Sequence, residues 1–181
     1  MLRLLFLSTT SLVALATAGC SDDACGPGNA KQSGLLASSA DVVLNFGALT
    51  SGPNNDCPDG TAPAGVTSLT IQGIQLDGPG LLTLCIPRPD KLQNDPLPLG
   101  MVDGVRIIDL NGTVEGCTYE FESLRPVSGT VSTTGMCDNG QTTAGYALIV
   151  DGSLSLRRMC PTMNDTIAVD FAGTVAVEGR P

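Results

Sequence analysis

The chain has 181 residues, of which 42% are hydrophobic, and its nine Lys and Arg against 18 Asp and Glu give a formal net charge of −9. An acidic surface of this kind repels nucleic acid, so nucleic acid is not an expected partner. There is no His and no Trp, which excludes Ser-His-Asp and Cys-His nucleophilic pairs as well as zinc sites built on His.

The N-terminus has the pattern of an export signal. Arg3 precedes an uncharged run of apolar and small residues from Leu4 to Ala18, and such a run is shorter than the ~20 residues that a membrane-spanning helix needs. The small residues Ala16 and Ala18 fit the site of ordinary signal peptidase, which would release a soluble chain beginning at Gly19.

A second cleavage site overlaps the first. Thr17-Ala18-Gly19-Cys20 resembles the lipobox of bacterial lipoproteins, in which the cysteine carries lipid and becomes the N-terminus. This resemblance implies removal of residues 1–19 and a membrane anchor through covalent lipid on Cys20. It also implies placement in the outer membrane, because Ser21 stands where an aspartate marks retention in the inner membrane.

The number of cysteines agrees with the lipoprotein interpretation. Seven cysteines would leave one thiol unpaired in an oxidising compartment, but assigning Cys20 to the lipid leaves six, enough for three disulfides. Their spacings contain no CxxC pair, which favours structural disulfides over metal binding or catalysis. The six are Cys25, Cys57, Cys85, Cys117, Cys137 and Cys160.

The remaining chain divides into a tether and one domain. Residues 20–40 are rich in Ser, Ala, Gly and Asp and are predicted to form a lipidated tether, followed by a single all-β domain over residues 41–181. The clearest strand runs from Ile167 to Val177, where apolar residues share one parity. Further strands are predicted at 41–48, 66–76, 81–86, 104–110, 113–121, 127–136, 142–150 and 153–159.

Turn residues separate these strands. Asn111-Gly112 and Asp151-Gly152 are predicted as two-residue hairpin turns, and Asp77-Gly78-Pro79-Gly80 as a longer turn. The apolar parity changes within 66–76, and a bulge at Gly73 would place its apolar pairs on one face. Four prolines between Pro87 and Pro98 exclude a central strand there and suggest a crossing between sheets.

This pattern predicts an antiparallel β-sandwich of about nine short strands, stabilised by disulfides, with a closed up-and-down β-barrel as the alternative. If strands 127–136, 142–150 and 153–159 run up, down and up, Cys137 and Cys160 lie at the same rim. A Cys137–Cys160 disulfide is therefore predicted, whereas the other pairings cannot be assigned from the sequence.

Carboxylates and amides in loops are the remaining candidates for chemistry. Asp56 with Asp59, and Asp90 with Asp95, resemble the acid pairs of glycoside-cleaving enzymes, but Asp in such loops ordinarily makes turn hydrogen bonds. Oxygen donors in the 54–60 loop are candidate calcium ligands, but they lack the EF-hand spacing, and a turn braced by Cys57 explains the same residues without a metal. The candidate ligands are Asn54, Asn55, Asp56 and Asp59. No catalytic residue and no other cofactor is expected.

Two further groups of residues have ordinary structural interpretations. Arg88, Lys91 and the pair Arg157-Arg158 are expected to pair with surface acids. The few aromatic residues stand mostly at strand positions that are expected to face the core, which disfavours a sugar-binding platform. Tyr119 and Tyr146 are the candidates for exposed rings.

The expected function is non-enzymatic: a lipid-anchored lipoprotein of the cell envelope with a structural role or one in binding another envelope protein. A module that binds a small ligand or Ca²⁺, in a barrel interior or at the 54–60 loop, is the alternative.

The lipidated N-terminus can be tested by the intact mass of the membrane-extracted protein, with and without reduction and alkylation. We expect the mass of residues 20–181 plus lipid, with six sulfurs that react with an alkylating agent only after reduction. A lipid-free chain beginning at Gly19 would contradict the lipoprotein interpretation.

Overall fold

The computed structural model describes residues 33–54, 57, 67–93, 95–101, 104–137 and 145–178, and within this part the chain is almost entirely β-strand. A short 3₁₀ helix spans Pro89–Gln93. No helix in the described part is both long and apolar enough to span a bilayer. The strands are β1 Gly34–Ser38, β2 Val43–Asn54, β3 Ser68–Gln75, β4 Leu81–Ile86, β5 Leu97–Pro98, β6 Arg106–Val114, β7 Cys117–Phe121, β8 Ser128–Cys137, β9 Gly145–Cys160 and β10 Met163–Glu178.

Eight of these strands close into an antiparallel barrel. The order around the barrel is β10, β1, β2, β3, β4, β6, β7 and β9, and pairing of β9 with β10 closes the circle. The all-β prediction is confirmed. The predicted β-sandwich is not confirmed, whereas the alternative, a closed β-barrel, fits the structure. The proline-rich segment does not change sheets, because β4 and β6 on either side of it pair directly.

The first strand lies inside the range assigned to the tether. β1 pairs with β10 on one edge and β2 on the other, and Leu35 and Ala37 are completely buried. The five residues are too few to show a period, so the sequence did not separate them from the preceding Ser- and Gly-rich segment.

The two longest strands form a hairpin that runs the length of the barrel. β9 and β10 pair continuously from Met163–Cys160 to Glu178–Gly145. The predicted turn at Asp151-Gly152 is therefore wrong, and the described part of the predicted strand 142–150 belongs to the same strand, β9, as the predicted strand 153–159. A Cβ on Gly152 would lie 2.9 Å from Leu99 Cδ2, so this glycine serves close packing instead of a turn.

The predicted turn at Asn111-Gly112 is also wrong, since both residues lie within β6. The β6–β7 hairpin turns instead at Glu115-Gly116, whose φ angles are 50° and 77°, as a type I′ turn requires. Gly112 is needed for a different reason: a Cβ there would lie 2.6 Å from Gln75 Oε1.

Gln75 is a buried polar side chain that binds a neighbouring backbone. Its Nε2 donates to Thr113 O at 3.0 Å, and its Oε1 accepts from Thr113 N at 2.9 Å. β4 pairs with β6 only as far as Leu81–Asn111. Beyond that point the Gln75 amide takes the place of a strand neighbour for the backbone of Thr113. Because both polar ends of the side chain are satisfied, its burial is compatible with the apolar core around it.

The predicted bulge lies opposite Gly73 and not in β3 itself. The β2–β3 register shifts between Gly47 and Thr50, with Ala48 at a φ of 47°. A Cβ on Gly73 would lie 2.5 Å from Leu49 Cδ2. Because β3 itself contains no bulge, the apolar residues before and after Gly73 face opposite sides of the sheet. Ile71 is buried and Ile74 is exposed.

Large side chains fill the barrel interior. Phe46, Leu84, Leu148, Leu156 and Phe171 are all completely buried and belong to one contiguous core. A ligand in this part of the interior would have to displace these side chains.

The role of the Gln75 amide can be tested by Gln75→Leu, which leaves the Thr113 N–H and C=O without this partner. We expect a loss of about 1–3 kcal/mol in the free energy of unfolding, measured by urea unfolding under non-reducing conditions. Gln72→Leu, at an exposed position on the same strand, is the control and should change stability by less than about 0.5 kcal/mol. Equal losses in both variants would contradict a specific role for Gln75.

Candidate functional site

The structure forms two disulfides from the predicted cysteines. Cys57 bonds to Cys85, and Cys117 bonds to Cys160 across the start of β7 and the end of β9. The predicted Cys137–Cys160 disulfide is therefore wrong. Cys137 pairs in register with Gly145 at the start of β9, whereas Cys160 ends that 16-residue strand, about 50 Å away along it. The error follows from the turn predicted at Asp151-Gly152.

Several predicted site residues lie outside the described residues, among them Cys20, Cys25, Asn55, Asp56 and Asp59. Asn54, the described member of the calcium candidates, is exposed at the end of β2, where its backbone oxygen accepts a hydrogen bond from Ser68 Oγ. No cluster of three or more metal-ligand side chains occurs in the described part of the chain. Because three of its four candidate ligands lie outside the described residues, the calcium site stays a prediction.

The predicted basic spots pair with acids. Arg88 donates to both carboxylate oxygens of Asp90 at 2.8 and 2.6 Å, and these hydrogen bonds lower the pKa of the Asp90 carboxyl. A lowered pKa keeps Asp90 ionised, which is the opposite of what a general acid requires. Arg157 likewise pairs with Glu120 at 2.5 Å.

Arg158 lies at the centre of a second ion-pair group. It donates to Asp165 at 2.8 and 2.7 Å, and its Nη1 lies 3.5 Å from Asp41 Oδ2. These hydrogen bonds lower the pKa of the Asp165 carboxyl and raise that of the guanidinium. The group links the β1–β2 loop to the β9–β10 hairpin. Because Arg157 and Arg158 are both paired with acids, neither guanidinium is available to bind a ligand.

The surface feature that remains is a gap in the barrel wall beside β6. β7 pairs with β6 only over Asn111–Val114, and no described strand lies along the same edge of β6 from Arg106 to Leu110. The gap arises because β7 and β8 pair with successive parts of the same edge of β9. The chain between these two strands forms an exposed turn over residues 122–127.

Hydrogen bonds define both ends of this gap. Glu122 N donates to Ser155 O at 2.9 Å, where β7 ends, and Arg125 N donates to Glu122 O at 3.0 Å within the turn. At the other end Val105 N donates to Pro98 O at 2.8 Å, next to the bridge between Leu99 and Val105. The opening is therefore a bounded depression and not a continuous groove.

We call this depression the notch. It has a volume of about 480 Å³, within the range of small-ligand and peptide pockets. Most of its lining is apolar, with two guanidinium groups and one hydroxyl. The lining residues are Gly100, Met101, Arg106, Ile107, Ile108, Phe121, Ser123, Arg125, Pro126 and Val127.

Two large apolar side chains in this region are exposed. Met101, which lines the notch, is 59% exposed, and Leu124, which stands in the chain between the lining residues Ser123 and Arg125, is 92% exposed. The Arg125 side chain forms no ion pair with a carboxylate of the described residues, unlike Arg88, Arg157 and Arg158. Exposed apolar side chains beside such a guanidinium are suited to binding a partner that carries both apolar and anionic groups.

Sequence reasoning missed the notch because the gap arises from strand pairing, which no local pattern records. A signal was nevertheless present: Leu124 stands in a polar turn, Glu122-Ser123-Leu124-Arg125-Pro126, where an apolar residue has no local structural role.

The two tyrosines do not form a ligand platform. Tyr119 is 4% exposed and Tyr146 2% exposed, so neither ring presents a face to solvent. Burial raises the pKa of Tyr146 to about 12.

Comparison of the chain with models of known protein families, with curated proteins and with solved structures finds no match. The assignment of function therefore rests on the residues and the geometry described above.

The burial of Tyr146 can be tested by following tyrosinate absorbance during alkaline titration, since the chain has only two tyrosines and no Trp. We expect a step near pH 12 that is missing from Tyr146→Phe. Because the unfolded phenol titrates near 10, the unfolded state releases this proton first, and stability should fall as the pH rises from about 10 to 12. An absorbance step near pH 12 that Tyr146→Phe leaves unchanged would contradict this burial.

Proposed function

We propose that this chain is a lipoprotein of the bacterial cell envelope, anchored in the outer membrane through lipid on Cys20, whose barrel binds a partner protein and catalyses no reaction. The export signal, the lipobox-like Thr17-Ala18-Gly19-Cys20 and the odd number of cysteines support the anchor. Two disulfides in the described residues support an oxidising compartment.

The notch is the observation that carries the binding function. It combines a largely apolar lining, a stretch of the β6 edge with which no described strand pairs, and the exposed side chain of Leu124 on the adjoining turn. A strand edge offers backbone groups to an extended segment, while pockets beside it select side chains. We infer that the notch receives an extended segment of the partner that bears an apolar side chain.

The charge of the notch specifies the partner further. Arg125, on the 122–127 turn, lines the notch and forms no ion pair with a carboxylate of the described residues, within a protein that is otherwise strongly acidic. A carboxylate of the partner at Arg125 would form a charge-assisted hydrogen bond. An acidic side chain or a free C-terminus next to the apolar residue is therefore the expected anionic group.

The filled interior argues against a ligand inside the barrel, since its largest side chains have no exposed surface. One observation does favour a small ligand elsewhere, because the volume of the notch, about 480 Å³, also suits an anionic amphiphile such as a fatty acid. This is the second candidate, and it uses the same residues.

A photo-crosslinking amino acid at position 124, in bacterial cells that make the full protein, tests partner binding. We expect a discrete adduct with one protein, reduced about tenfold or more when Arg125→Glu is added, because loss of one charge-assisted contact corresponds to more than 1.4 kcal/mol. Lys91→Glu makes the same charge change at an exposed residue outside the notch and should leave the adduct unchanged.

The same crosslinker at Met163, which is exposed at the start of β10, controls for random collision. Equal adducts from both positions, or an adduct from position 124 that survives Arg125→Glu, would contradict the proposal. Absence of an adduct, together with thermal stabilisation by dodecanoate that Arg125→Glu abolishes, would favour the small-ligand function instead.

A further inference from the structure

Charge is distributed unevenly around the barrel. None of the residues of β1, β2, β3 and β4 is charged, whereas β6, β7, β9 and β10 all contain charged residues. Removal of residues 1–19 would take away Arg3 and change the formal charge from −9 to −10. The half of the barrel formed by β1–β4 is therefore uncharged although the protein as a whole is strongly acidic.

The uncharged half also exposes large aliphatic side chains on its outer face. Five of them, between 41% and 55% exposed, form what we call the aliphatic patch: Leu36, Val43, Ile74, Leu76 and Leu81.

Strand register places the members of the aliphatic patch next to one another. Leu36 lies opposite Asn45, and Leu76 N donates to Asn45 O at 2.8 Å from the other side. One row further along, Ile74 pairs with Leu81. The side chain of Leu76 covers Gly47, where a Cβ would lie 2.7 Å from Leu76 Cδ2. The absence of a side chain at Gly47 therefore leaves room for Leu76 to pack over β2.

The chemistry of the aliphatic patch differs from that of a protein-binding surface. Centres of protein interfaces are enriched in Trp, Tyr and Arg, whereas the large exposed side chains of the patch are Leu, Ile and Val, with the uncharged Asn45 between Leu36 and Leu76. Acids border it without entering it, since Asp41 lies in the β1–β2 loop and Asp77 directly follows Leu76. Aliphatic side chains without charge are suited to entering the interfacial region of a lipid bilayer.

We propose that the aliphatic patch rests on the lipid surface, so that the barrel lies with β1–β4 against the membrane. This inference rests on the proposed anchor at Cys20. Only 14 residues lead from Cys20 to Gly34, the first residue of β1, so the tether reaches at most about 50 Å. Tethering at this distance raises the effective concentration of the patch at the membrane.

The border of acids determines which lipids are favoured. Asp41 and Asp77 repel anionic headgroups, so contact is strongest on zwitterionic lipid and weakens as anionic lipid is added. This dependence is opposite to that of membrane proteins that dock through basic residues.

The absence of native Trp allows a direct test. Leu76→Trp introduces one fluorophore into the patch of the full lipidated protein, reconstituted in phosphatidylcholine vesicles that contain brominated acyl chains. We expect a blue-shifted emission that loses most of its intensity by bromine quenching, and a partial recovery when phosphatidylglycerol replaces phosphatidylcholine. Leu36→Trp, on β1 at the other side of β2, should behave alike and guards against a local effect of one substitution.

Leu124→Trp, on the 122–127 turn, is the matched control and should emit as a solvent-exposed Trp without quenching. Quenching of Leu76→Trp no stronger than that of Leu124→Trp would overturn the inference. A blue shift of Leu76→Trp that depends on protein concentration in lipid-free detergent would also overturn it, because a second copy of the chain would then cover the patch.

Failure of the anchor and failure of the inference can be told apart. The intact mass of the same preparation shows whether Cys20 carries lipid. If it does not, the lipid-free full-length protein is added to the same vesicles, and Leu76→Gln should lower its partition about tenfold, as expected for one aliphatic side chain. Ile149→Gln, at an exposed position on β9, should lower it far less, and equal partition of both variants would refute the membrane contact.

Discussion

Continuous pairing of β9 with β10 is the constraint on which the rest of the structure depends. The 16 residue pairs of this hairpin provide two long outer edges, and the barrel closes because β1 takes the edge of β10 while β7 and β8 share that of β9. Sharing one edge between two strands forces the chain outward at residues 122–127. The notch is thus a direct consequence of how the barrel closes.

The sequence predicted the strands better than their connections. β4 was predicted with its observed bounds, and the parity of Val169, Phe171 and Val175 correctly identified a buried face. The errors concern glycines that resemble turn residues: Gly112 makes room for the Gln75 amide and Gly152 for Leu99. A glycine required by a neighbour distant in sequence cannot be distinguished from a turn glycine by local pattern.

The candidate site was less predictable for the same reason. Disulfide formation followed from the number of cysteines, but the partner of Cys160 depended on whether β9 was one strand or two. The notch depends on which strands are adjacent, and the aliphatic patch depends on register, because Ile74 and Leu76 looked like core residues displaced by a bulge. Each of these features follows from non-local pairing, whereas sequence patterns report local periodicity.

The two proposed surfaces make a consistent arrangement on one barrel. The aliphatic patch is centred on β2 and β3, and the notch lies between β6 and the turn after β7, about three strands further around an eight-stranded circle. A barrel that rests on lipid through the patch therefore presents the notch away from the membrane, together with most of its charged strands. Repulsion between these acids and anionic headgroups would disfavour the reverse orientation, so the charge asymmetry of the chain is consistent with both proposals: it would orient the barrel and leave the proposed binding site accessible.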